Sequence, residues 1–181
     1  MEKQSSSKVA IKWALIYLIT SVVITYLFQF LNIDQNSSAK YLSYIPFIAF
    51  LLLVQKEYKE QLGGFLTFGE GFISGLLYSV FSAIMLAVFI YIYLGILSPQ
   101  VLEQAMASQS DQLKEKGLSQ DQIDNAMTIT KKYGAIIGAV FTLLIMPIFG
   151  IIIALIGAAI FKKERSPFDL IKEDNYTDPV S

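Results

Sequence analysis

Four stretches of this chain carry no Asp, Glu, Lys or Arg: Leu15 to Leu27, Ile45 to Val54, Ser74 to Ile92 and Ala135 to Leu155. Apolar backbone of that length in lipid has no water to bond, so it must form its own hydrogen bonds, as helices do. The runs around these stretches predict an all-α polytopic membrane protein with four spans, at about 9–31, 41–55, 72–97 and 134–161. Crossing a hydrocarbon core of about 30 Å takes about 20 residues of helix. The second run is short: a helix over 41–55 reaches only about 23 Å. It is taken as a span because a re-entrant helix would worsen the charge placement described below. Tyr41 and Tyr44 suit one interface, Lys56 and Lys59 can snorkel at the other, and Pro46 offers a bend. The first run is too long for a signal peptide, and no small-x-small cleavage site follows it.

The chain has 181 residues, 54% of them hydrophobic and 16% charged, which sets it apart from soluble domains. Its net charge of −1 implies no nucleic-acid partner. Without histidine or cysteine, it offers no imidazole zinc site, Ser-His-Asp triad, thiolate or disulfide. No phosphate-binding glycine loop or dinucleotide fingerprint is present. The expectation is no cofactor, no metal and no catalytic residue, and hence no enzyme.

Basic residues in the short flanks set the orientation. With the N-terminus inside, Lys3, Lys8, Lys12, Lys56, Lys59, Lys162, Lys163, Arg165 and Lys172 all fall on the cytoplasmic side. Lys40, Lys114, Lys116, Lys131 and Lys132 fall outside. Both termini are then cytoplasmic, with a polar tail at 162–181. Lys56 to Gly71 mixes charge with Tyr58, Leu62, Phe65, Leu66 and Phe68, which suits an element lying in the interface plane.

Between spans three and four lies the one long water-compatible segment, 98–133. It reads as a helical hairpin on the extracytoplasmic side. Ser98 suits an N-cap and Pro99 the first helical position. Gly117 suits the left-handed stop, and Ser119 with Gln122 makes a capping box. Leu102, Met106 and Leu113 form one apolar stripe and Ile123 and Met127 another, all candidate partner contacts. The second hairpin helix has no strong breaker before Phe161 and can run on as one rod, bent at Gly134.

Glu70, in Gly69-Glu70-Gly71, is the candidate functional carboxylate, for a proton, a cation or a partner's arginine. The favoured reading is plainer: an interfacial glutamate that complements the N-terminal dipole of span three. Gly71, Gly75, Gly134, Gly138, Gly150 and Ala154 are candidate helix contacts, in a homodimer seam or, preferably, among the chain's own helices. Pro147 leaves Leu143 C=O without its usual donor and acts as a hinge or, more often, a fixed bend. Ser74, Ser79, Ser82, Thr20, Ser21 and Thr25 line a conceivable hydroxyl path. Bonding to their own preceding turns is the favoured alternative.

Leu66 to Gly75 (LTFGEGFISG), and Pro99 to Lys132 with its KGLSQDQI turn and basic pair, carry a family likeness. The chain resembles, over nearly all of 8–165, the four-span membrane family catalogued as domain of unknown function 4199. The resemblance implies an integral membrane protein of the bacterial inner (cytoplasmic) membrane. It brings no known activity, substrate or site residue. The expected role is an interaction or assembly module in the lipid bilayer, whose hairpin meets an envelope protein or a second copy in a homo-oligomer. The rival is a small-molecule transporter or channel.

Overall fold

A computed structural model describes residues 5–31, 33 and 38–165. The first four residues, most of the short polar turn at 32–40 and the tail beyond 165 lie outside the described residues or nearly so. The fold is all-helical: α1 (Ser6–Phe30), a short 3-10 turn (Ser38–Ser43), α2 (Tyr44–Gln61), α3 (Phe68–Ile92) ending in a π turn (Tyr93–Leu97), α4 (Pro99–Glu115) and α5 (Gln120–Phe161).

Among the described residues, three helices are long and apolar enough to cross a membrane: α1, α3 with its π turn, and α5. Their surfaces identify the solvent. Only 11% of the most apolar window of α1 and of α5 is buried, and 22% of that of α3. Phe30 is 83% exposed and Phe141 63%. Apolar faces of that extent are stable in lipid and a liability in water. α2 carries Lys56, Glu57, Lys59 and Glu60 in its last turns and is not among the three.

The chain divides into two compact units, residues 1–81 with 149–181, and residues 82–148. In the first unit α2 buries one face. Phe47, Leu51, Val54, Gln55 and Tyr58 are its buried residues, spaced to fall on one helical stripe. α1 packs antiparallel on α2. Trp13 meets Phe50 at 5.5 Å and Tyr17 meets Phe47 at 5.4 Å between ring centroids. Phe47 also stacks on Tyr78 and Phe149, at 5.4 and 5.9 Å. Such rings supply contact area, which matters in lipid, where helices associate largely through packing.

The segment 56–71 does not form an interfacial element of its own. α2 continues to Gln61 because Tyr58 extends the buried stripe past the apolar run, so the helix outlasts its hydrophobicity. Gly63 and Gly64, at φ 75° and 86°, make the turn, and α3 starts at Phe68. Leu66 and Lys163 exchange two backbone hydrogen bonds of 2.9 Å, tying this turn to the segment just after α5. Pro46 falls in the first turn of α2, where a missing N–H costs little.

In the second unit, α3 ends in the π turn, with Ser98 N–H donating to Tyr93 C=O at 2.7 Å. Ser98 occupies the N-cap position of α4, but its side chain makes no capping bond. Gly117, at φ 77°, ends α4, with Leu118 N–H donating to Leu113 C=O at 3.2 Å and Gly117 N–H to Lys114 C=O at 2.9 Å. Gln122 Oε1 accepts from Ser119 N–H at 3.0 Å, as the capping box requires. α5 then runs 42 residues, about 63 Å, unbroken through both Gly134 and Pro147.

Candidate functional site

The most constrained polar group in the first unit is Gln55. It is fully buried. Its Nε2 donates to Gly71 C=O of α3 at 3.0 Å and to Ala154 C=O of α5 at 2.9 Å. Both partners are acceptors, which fixes the amide's orientation. One α2 side chain thus clamps two other helices. Its Oε1 is buried without a donor and faces Gly157, where an added Cβ would stand 1.9 Å away. The helices come this close because the residues between them are small. A Cβ on Gly75 would meet Ala154 Cβ at 2.8 Å, and one on Gly71 would meet Ala158 at 3.2 Å. A Cβ on Gly150 would stand 2.0 Å from Ser79 Oγ. Gly71, Gly75, Gly150 and Ala154 therefore serve contacts within the chain.

The hydroxyls are occupied locally. Ser74 Oγ donates to Gly71 C=O at 2.8 Å and Ser79 Oγ to Gly75 C=O at 2.9 Å. Thr20 and Thr25 bond the carbonyls of Ile16 and Ser21, at 2.8 Å each. Ser82 is buried, and its Oγ has no hydrogen-bond partner among the described residues.

Glu70 sits in a reciprocal capping box. Its Oε2 accepts from Thr67 N–H at 3.1 Å and from Thr67 O–H at 2.9 Å, while Glu70 N–H donates to Thr67 Oγ1 at 3.2 Å. A carboxylate so used stabilises the start of α3.

A second polar cluster lies near the N-terminal end of α1 and the C-terminal end of α2. Glu57 pairs with Lys12 and accepts from Trp13 Nε1–H at 2.7 Å. Burial pushes the Glu57 carboxyl up, but the Lys12 and Trp13 hydrogen bonds and the Lys12 charge outweigh it and hold the group below the usual carboxylate range. Tyr58, next along α2, is pushed up by burial and by the nearby Glu70 charge, against a smaller opposing bond from Ser6. Beyond α5, Lys163 and Arg165 lie over the Phe65 ring, at 5.1 and 5.2 Å from its centroid. Basic and aromatic side chains of this kind are characteristic of a membrane–water boundary.

In the second unit, α4 folds back along the first turns of α5. A Cβ on Gly134 would meet Leu102 Cδ1 at 2.8 Å, and one on Gly138 would meet Leu94 Cδ1 at 3.4 Å. Ile123 is only 2% exposed, so it closes the helix pair and is unavailable to a partner; it is corrected from the candidate contacts. Leu102, Met106, Leu113 and Met127 are half-buried. Ile129 and Tyr133, which sequence reasoning did not single out, are 54% and 43% exposed. A cleft of about 630 Å³ opens beside the π turn, between α4 and α5. Among the described residues no group of three or more acidic side chains could hold a metal.

The model of a family described as a protein of unknown function (DUF4199) matches residues 12–163. The chain belongs to that family. No curated protein and no solved structure matches it. Membership of DUF4199 spans both units and brings no site residue with it. The Gln55 clamp, the Glu57 cluster and the cleft therefore rest on this chain's own geometry.

Proposed function

We propose that this DUF4199 protein is a four-span assembly module of the bacterial inner membrane, not an enzyme, which presents α4 and the first turns of α5 to an envelope partner or a second copy. The observation that carries this reading is the state of α4. None of its 17 residues is buried, while Ile123, in the first turn of α5, is 2% exposed. A wet helix pair closed on its inner side and open on its outer side suits contact rather than catalysis. Ile129 and Tyr133, four residues apart on α5, are its exposed apolar groups.

Two further observations support the topology. α2 runs antiparallel to α1 over their shared contacts, as a fourth span over Tyr44–Gln55 would, with Glu57 beyond the hydrocarbon. Lys12, Phe65, Lys163 and Arg165 are drawn to one end of the first unit by the Glu57 pair, the Leu66–Lys163 bridge and the Phe65 contacts. Under the positive-inside rule that end is cytoplasmic, and the α4–α5 pair faces out.

The test places a photo-crosslinking residue at Ile129 or at Ile123 in the full chain, in cells. The expected result is a discrete protein adduct from position 129 and none from 123. Equal adducts from both, or none from 129, would remove the reading. Lys-specific labelling of intact spheroplasts that reached Lys163 and spared Lys114 would invert the topology.

A further inference from the structure

The cleft in the second unit lies where α5 changes character. Its lining includes Lys131 and Lys132 on the polar side of that change and Ile136 on the apolar side. Leu94, Leu102 and Met106 supply further apolar wall. The charges in the lining are the two lysines and Glu103, a net of one positive charge. Neither lysine forms an ion pair among the described residues. Lys132 Nζ rests 5.1 Å from the Tyr133 ring centroid. The volume, about 630 Å³, falls within the usual range for sites that hold small ligands.

We infer that this cleft binds an anionic phospholipid of the surrounding bilayer, its phosphate against Lys131 and Lys132 and the upper part of an acyl chain along Leu94 and Ile136, with Leu102 walling the side. Three features select that occupant. The cleft is amphipathic in the same sense as a lipid, polar at one end and apolar at the other. Its position, at the junction of wet and apolar helix, is the depth at which headgroups sit. Its net charge complements a headgroup bearing one negative charge, and basic pockets of this kind between membrane helices are recognised headgroup sites. The inference needs the chain in a membrane but not a particular leaflet, so it stands apart from the orientation proposed above.

The test uses the full chain in detergent micelles and two phospholipids with the same fluorescent acyl chain, phosphatidylglycerol and phosphatidylcholine. Saturable anisotropy is expected for phosphatidylglycerol, with phosphatidylcholine about tenfold weaker. The double variant Lys131→Gln, Lys132→Gln is expected to lose about ten- to thirtyfold in phosphatidylglycerol affinity. Leu102→Trp, which fills the cleft, is expected to weaken both lipids. Glu103→Gln removes the opposing charge and is expected to tighten phosphatidylglycerol by about threefold, a gain that misfolding cannot produce. Equal binding of the two lipids would overturn the inference. So would full displacement by glycerol phosphate, which would identify a soluble ligand. No gain from Glu103→Gln, or a chain dimer that Leu102→Trp disperses, would overturn it as well.

Discussion

α2 and α4 are nearly the same length, 18 and 17 residues, and their surroundings are opposite. α2 buries five side chains and sits among three other helical segments of its unit; α4 buries none. α2 carries the apolar run 45–54 where α4 mixes polar and apolar residues throughout, and what faces each helix adds to that difference. Around α2 stand Gly71, Gly75, Ala154, Gly157 and Ala158, small enough to admit its side chains and to let Gln55 reach two carbonyls. Beside α4 only Gly134 provides a comparable close approach, and what meets it is the mobile end of Leu102. Helix burial here takes both an apolar run in the helix itself and small residues on its neighbours.

The sharpest way to break that contrast is to fill the two kinds of contact. Gly157→Val places atoms on Gln55 and Leu52, both already packed, and is expected to lower stability by about 3 kcal/mol, or to prevent assembly. Gly134→Ala meets the flexible end of Leu102, with Thr130 Cγ2 at 3.4 Å, and is expected to cost under about 1 kcal/mol. Unfolding midpoints in mixed micelles measure both, and equal losses would end the argument from neighbours. Gln55→Leu comes next, with a loss of about 1–2 kcal/mol from two interhelical hydrogen bonds, the range seen for such bonds in membranes.

Glu57→Gln has a smaller effect, under about 1 kcal/mol at pH 7. Its pH dependence has a definite sign. The folded carboxyl titrates below the unfolded value near 4.5, so its contribution is full above that value and is lost as pH falls through the folded pKa. Wild type and Glu57→Gln should therefore converge in stability in acid, and a difference that widens there would contradict the ion-pair account. Last, Ala105→Gly on the exposed side of α4 should weaken that helix by about 1 kcal/mol while leaving the unfolding midpoint of the bundle in place. Hydrogen exchange would then quicken in 99–115 and stay unchanged in 44–61.

Much of this architecture was legible from the residues. Charge-free runs located three crossing helices, and the Pro99, Gly117 and Ser119–Gln122 signals placed the ends of α4 and the start of α5 to within a residue or two. Those features are local, written in a few consecutive positions. The Thr67-x-x-Glu70 capping box is equally local, and it gives a partner to the glutamate expected to complement the N-terminal dipole of span three. Gln55 was harder. Its importance comes from residues 16 and 99 positions away, and a neutral amide does not register in a search for buried charge. Its one sequence cue is its place on the stripe of Phe47, Leu51, Val54 and Tyr58. The smallness of Gly157 likewise gains meaning only beside Gly150, Ala154 and Ala158. The Leu66–Lys163 bridge had no cue at all, being made of main-chain atoms.

That bridge has a consequence for how the chain tolerates change. Because peptide groups alone form it, alanine scanning cannot isolate it: Leu66→Ala would report the loss of a buried side chain and leave in place the two bonds that latch this turn to the segment after α5. A proline at 66 or at 163 deletes one of the two donors and so loosens the latch. The latch also cannot engage until α5 has been delivered, so the turn after α2 stays untied until Lys163 has been synthesised.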